Sequence, residues 1–117
     1  MENDIKQGSI CIINCDPGIG REYKKIRPAI VVQADEITKK SKLITVVPLS
    51  SKIGKRDEDD FIIKSDNRNN LATDSVVKTK QISTFDKRRI IQPIGMAGDG
   101  AILMIKAYLL KHFGLTN

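Results

Sequence analysis

The sequence predicts an α+β domain that is mainly β: a strongly bent, barrel-like antiparallel sheet with one C-terminal helix packed on it. Three observations predict it. Short apolar segments recur along the chain, each closed by a turn signal. Their cores are β-branched, as in Ala29-Ile30-Val31-Val32 and Ile44-Thr45-Val46-Val47. The stretch with sustained helical spacing comes at the end. At 117 residues the chain makes a single domain, 1–117.

The strand segments follow in order. Residues 8–15 end at Asp16-Pro17-Gly18-Ile19-Gly20, and residues 27–33 follow a basic connector. Residues 43–50 end at Ser51-Lys52-Ile53-Gly54, and Phe61-Ile62-Ile63 leads into a polar run, 64–70. Residues 75–82 and 89–93 complete the set, with a single helical turn over 84–88, capped by Thr84, between them. Asp99 is the expected N-cap of a helix over 101–113, with Ile102, Ile105, Leu109 and Phe113 as its stripe. Lys111 and His112 suit the negative end of its dipole, and Gly114 suits the C′ position. Leu103, Met104, Tyr108 and Leu110 leave this helix little solvated face, so two covers are expected: its own sheet and a second subunit.

Hydrophobic residues make up 40% of the chain and charged residues 29%, enough for a modest core and against disorder. Twenty Lys and Arg against fourteen Asp and Glu leave +6, which favours an anionic partner, nucleic acid or an acidic protein. The chain begins polar, and the apolar run 10–13 is too short to span a bilayer, so a cytoplasmic location without membrane association is expected.

Cys11 and Cys15 fall on one strand, roughly 13 Å apart, too far for a bridge between them. With His112 distant, no zinc set forms, and both cysteines read as small buried hydrophobes. Gly18-Ile19-Gly20 and the 95–100 glycines lack phosphate-loop and dinucleotide spacing and read as turns. One histidine excludes a two-histidine phosphodiesterase mechanism within one chain, and His112 reads as a structural helix-end residue. Asp57-Glu58-Asp59-Asp60 reads as a solvated loop balancing Lys52, Lys55 and Arg56, because consecutive carboxylates cannot all face one ion. No metal or cofactor is expected. Basic residues recur at strand ends: Lys24, Lys25 and Arg27; Lys52, Lys55 and Arg56; Lys78 and Lys80; Lys87, Arg88 and Arg89. They fit either a phosphate groove or a generally basic surface, and composition does not choose.

Three blocks choose. Gly8-Ser9-Ile10-Cys11-Ile12-Ile13 with Asp16 to Glu22 and Lys25-Ile26-Arg27-Pro28-Ala29-Ile30-Val31-Val32 form the first. Val46-Val47-Pro48-Leu49-Ser50-Ser51 is the second, and Asp74-Ser75-Val76-Val77 with Gln81 to Arg88 the third. In this order they resemble the MazF/PemK toxin family over nearly the whole chain. The resemblance implies a homodimeric, SH3-like barrel that cuts single-stranded RNA at short motifs without metal and is silenced by an acidic antitoxin. It implies catalytic roles for Arg27 and Ser50, with Ser51 as the alternative if the register slips, and places Glu22 near that arginine. The RNA-binding set expected beside them is Lys24, Lys25, Ser51, Lys52, Lys55, Arg56, Lys78, Lys80 and Gln81. Such chemistry asks little of the protein, since RNA supplies the 2′-OH nucleophile and a guanidinium fork matches phosphate oxygens.

Two positions depart from the family pattern. Lys80 stands where many relatives carry an acid before the Gln, and Ser83 where they carry Arg. Sequence choice and cleavage rate therefore do not transfer with the resemblance, which leaves a second reading: a catalytically weak member that binds RNA or antitoxin. A gyrase-poisoning toxin of the same fold is disfavoured, since that branch ends in a Trp-containing tripeptide and this chain has no Trp.

Overall fold

Both faces of the strands are apolar, so the sheet has to be covered on each side. The computed structural model describes residues 4–15 and 26–115. Its strands are β1 (Ser9–Asn14), β2 (Ile26–Val31), β3 (Leu43–Ser50), β4 (Phe61–Ile63), β5 (Ser75–Val77), β6 (Ser83–Asp86) and β7 (Ile90–Met96). Two α-helices join them, α1 (Asp35–Lys40) and α2 (Asp99–His112). The sheet is antiparallel in the order β4-β5-β3-β2-β1-β7, with β6 also on β3.

β3 organises the bend. One edge pairs with β2 through Val46, Val47 and Pro48. The opposite edge is divided: Leu43 to Val46 face β6, while Leu49 and Ser50 face β5. Eight residues thus carry the chain from one half of the sheet to the other, and the sheet curls about them. No β4–β7 ladder closes it. The 64–74 connection does so instead, with Met96 N–H donating to Arg68 O at 3.0 Å and Asn70 Nδ2 to Ile94 O at 2.6 Å. Gly95 permits this approach, because a Cβ there would lie 2.4 Å from Arg68 O.

Side chains alternate between two cores. Ile10, Ile30, Val47, Leu49 and Val77 pack with Ile105 of α2 on one face. Cys11, Ile13, Ala29, Val31, Ile44 and Val46 pack on the other, with Phe85 and Ile90 against them. Both cysteines are buried and unbridged, and burial pushes the Cys11 thiol up to about 11.

Several expectations shift. The 75–82 strand stops at Val77 and passes into a 3₁₀ turn, Thr79–Gln81. Residues 84–86 belong to β6, where Thr84 and Thr45 face each other with hydroxyls 2.8 Å apart. The helical turn comes later, at Lys87–Arg89, and Asp86 caps it by accepting the Arg88 N–H. α1 went unpredicted, because only Thr38 among its residues is buried and it has no apolar stripe. Its usable signal was electrostatic: Asp35 and Glu36 in the first turn, Lys39 and Lys40 in the last.

At α2 the N-cap is Gly98, and Asp99 lies in the first turn. The core-facing residues are Ile105 and Tyr108, with Ile102 and Leu109 beside them, while Phe113 is 63% exposed and leaves the predicted stripe. Tyr108 hydrogen-bonds His112 Nδ1 at 2.9 Å, keeping that histidine at the helix end. Gly114, at φ 68°, closes the helix: its N–H reaches Lys111 O, and the Leu115 N–H reaches Leu110 O.

Candidate active site

Two prolines set the local geometry. Pro28 on β2 and Pro48 on β3 have no N–H to give, and the β2–β3 ladder begins at Ala29 opposite Pro48. Beyond that pair the ends of the two strands carry no ladder bonds. A small depression of about 20 Å³ lies here. Ile13, Cys15, Ala29 and Val46 give it an apolar lining, together with Phe85 and both prolines. Arg27 and Ser83 are its polar members.

Arg27 is half-buried on β2, held opposite Ile13 of β1 and directly before Pro28, which confines it to extended backbone. The β2–β3 ladder stops two residues short of both Arg27 and Ser50, which lie at the same end of the two strands. Ser50 ends β3 half-buried, and its Oγ accepts the Lys52 N–H at 3.2 Å. That bond engages a lone pair and leaves the hydroxyl proton to donate elsewhere. Ser83, opposite Val46 on β6, donates its hydroxyl to Gln81 O at 2.9 Å.

The loop after Ser50 exposes Ser51, Lys52, Lys55 and Arg56. Across β3, the turn holding Lys80 and Gln81, both exposed, is tied down where the Lys78 N–H donates to Pro48 O at 3.0 Å. The topology thus brings Arg27, Ser50 and two sets of cations to the Pro48 end of β3. Glu22, Lys24 and Lys25 lie outside the described residues.

Three expectations about charge are corrected. Lys78 is buried, its Nζ 3.0 Å from an Asp60 oxygen, so its charge is engaged inside the domain. Only part of the acidic run is solvated: Asp57 and Glu58 are exposed, while Asp60 pairs with Lys78, and Asp59 with Lys111 of α2 at 3.0 Å. That hydrogen-bonded carboxylate raises the Lys111 pKa above its ordinary value. The 87–89 cluster works at the far end of β3, where Lys87 Nζ donates to Thr38 O, Arg88 pairs with Asp86, and Arg89 donates to Asn14 O. Among the described residues no three His, Cys, Asp or Glu side chains gather as a metal site, and no helix is long and apolar enough to cross a membrane.

The fold is that of the MazF toxins. A crystal structure of MazF from Deinococcus radiodurans matches with a TM-score of 0.77 at 18% identity, covering 97% of this chain and 99% of that one. An endoribonuclease from Mycobacterial species, solved in complex with its cognate antitoxin, matches at 0.69 with 15% identity and 99% of both chains covered. In sequence, the endoribonuclease MazF of Staphylococcus epidermidis is 25% identical over 113 residues, 97% of this chain and 94% of that protein. The model of the PemK-like, MazF-like toxins of type II toxin–antitoxin systems matches residues 6–113, and the chain belongs to that family.

Proposed function

We propose that this chain is an endoribonuclease toxin that cleaves single-stranded RNA at short motifs, without metal, and is neutralised by an acidic antitoxin. The observation that supports the reading is the half-buried Arg27 lining a depression beside Pro48, at the end of β3 that Ser50 terminates. A phosphodiester there meets a fixed guanidinium and a hydroxyl donor. The RNA's own 2′-OH gives its proton to water and attacks phosphorus. The bond to the 5′-oxygen breaks, that oxygen takes a proton from water to leave as a 5′-hydroxyl, and a 2′,3′-cyclic phosphate forms. Arg27 stabilises the charge on the non-bridging oxygens as the phosphorane develops, and Ser50 adds one hydrogen bond. A role for Glu22 in this chemistry rests on the family resemblance alone. Ser51, Lys52, Lys55, Arg56, Lys80 and Gln81, with Lys24 and Lys25, hold the flanking nucleotides by phosphate contact.

The exposed outer face of α2, with Leu103, Met104, Leu110 and Phe113, is the seam of a homodimer in this reading. Pairing raises the charge to about +12 and joins two cationic grooves. An acidic, extended antitoxin segment would compete with RNA for them.

The test is a long single-stranded RNA incubated with the protein in EDTA. Cleavage should persist and leave 5′-hydroxyl and 2′,3′-cyclic phosphate ends, while 2′-deoxy or 2′-methoxy substitution at the cut site blocks it. Comparable cleavage of an all-deoxy strand refutes the 2′-OH mechanism, and an intact RNA refutes the nuclease reading.

A further inference from the structure

The loop between β3 and β4 begins at the Ser50 hydroxyl and carries three exposed cations, yet it makes no strand or helix of its own. It is fastened from beneath. Lys78, 8% exposed, sends Nζ to Asp60 Oδ2 at 3.0 Å and to Lys55 O at 3.3 Å, with Asp57 Oδ2 at 4.0 Å. The Asp60 side chain is only 1% exposed, and its Oδ2 also accepts the Asp57 N–H at 2.9 Å. Next to Lys78, the fully buried Thr79 donates its hydroxyl to Asp59 O at 3.0 Å. One buried ammonium therefore joins the backbone at Lys55 to carboxylates at 57 and 60, across the run that includes Arg56.

We propose that Lys78 is a positioning residue for RNA: it touches no substrate but holds the Lys52, Lys55 and Arg56 loop against β5 in the conformation that meets the phosphates. This rests on the nuclease reading above. The second tie, Lys111 to Asp59, does not carry the same role. Lys111 is 59% exposed in its side chain, and solvent screens such pairs to little net effect. The buried pair is a different case, because removing one partner strands the other's charge. A loop whose cations are already placed loses less conformational freedom on binding, so the effect falls on affinity rather than on the chemical step.

Lys78→Met alone leaves a buried Asp60 unpaired and can unfold the domain. The working variant is therefore Lys78→Met with Asp60→Asn, its fold checked by circular dichroism and melting, alongside Lys78→Arg, which keeps the cation. Two readouts are taken: limited trypsin digestion, which cuts after Lys52, Lys55 and Arg56, and steady-state cleavage of a short single-stranded RNA. In the double variant, cutting at those three bonds should accelerate at least about tenfold. KM should rise about tenfold with kcat held within about twofold. Lys78→Arg should recover much of both. Unchanged tryptic cleavage overturns the proposal, as does a freed loop with unchanged KM, or a fall in kcat at constant KM. If the unmodified protein leaves RNA intact, the nuclease reading fails by itself, and with it the substrate role of Lys78; the tryptic arm still decides whether Lys78 holds the loop.

Discussion

Arg27 and Ser50 should behave as one catalytic unit, and a double-mutant cycle tests it. Both residues lie past the last β2–β3 pair, Ala29 with Pro48, at the same end of β3, and the proposed mechanism has them share one phosphate. Removing a single preorganised donor from developing charge costs on the order of 10²–10³ in rate, which sets the expectation for Ser50→Ala. Arg27→Ala removes a charged, two-pronged donor and should cost more than about 10³, a residual rate that enzyme in excess still reads. Once the guanidinium is gone the phosphate is no longer held, so the serine has little left to stabilise. The double variant should then fall within about tenfold of Arg27→Ala, far above the product of the single effects. The assay is single-turnover cleavage of a fluorogenic RNA with enzyme in excess. Arg27 is only half-buried, so truncation costs about 1 kcal/mol of packing and a melting curve separates that loss from catalysis. Undiminished cleavage by Arg27→Ala refutes the assignment, and fully multiplicative single effects refute the shared phosphate.

Other outcomes follow from the same geometry. Burial holds the Cys11 thiol near 11, so at pH 8 it should resist alkylation until the chain is denatured; rapid native labelling would contradict its place in the core. The backbone N–H groups of Asn69 and Arg68 hold the Asp66 carboxyl below its ordinary range, so this contribution is present above about pH 4 and lost as pH falls through the lower folded value. Asp66→Asn should therefore be less stable than the unmodified protein at neutral pH, with the gap closing as pH falls through the lowered folded value in acid-unfolding curves; a gap independent of pH would refute the attribution. Sedimentation should find a dimer at micromolar concentration, and Leu103→Lys with Phe113→Lys should give a folded monomer; a monomeric unmodified chain removes the shared-groove argument. RNA affinity should fall steeply with added salt, and a flat salt dependence removes the phosphate contacts.

What could be read from the sequence divides along physical lines. β3 and β4 were legible to the residue, because their β-branched runs end in strong turn signals. So was the Gly114 stop, which depends on one positive φ. β6 was not, since Thr84-Phe85-Asp86 has too few apolar residues to show a period and owes its strand state to β3. Arg27 and Ser50 were proposed from the three blocks, but their placement at one end of the sheet rests on pairing between β2 and β3, which lies beyond any local pattern. The charges misled most. Lys78 looked like its exposed basic neighbours, and nothing near it in sequence announces Asp60, eighteen positions earlier in the chain, as its partner.

The 64–74 connection that spans the open side of the sheet bears on solubility. A bare terminal strand templates pairing with another molecule, and β7, with Ile91 half exposed, would be a hazard of that kind. The outward-facing groups at Ile94 and Met96 are already taken by Asn70 and Arg68 of the same chain. Gly95 permits that occupancy, so a side chain there would do more than strain a loop. It would lift the cover from β7 and turn the chain toward self-association, a fault that would surface as inclusion bodies with Arg27 and Ser50 unchanged.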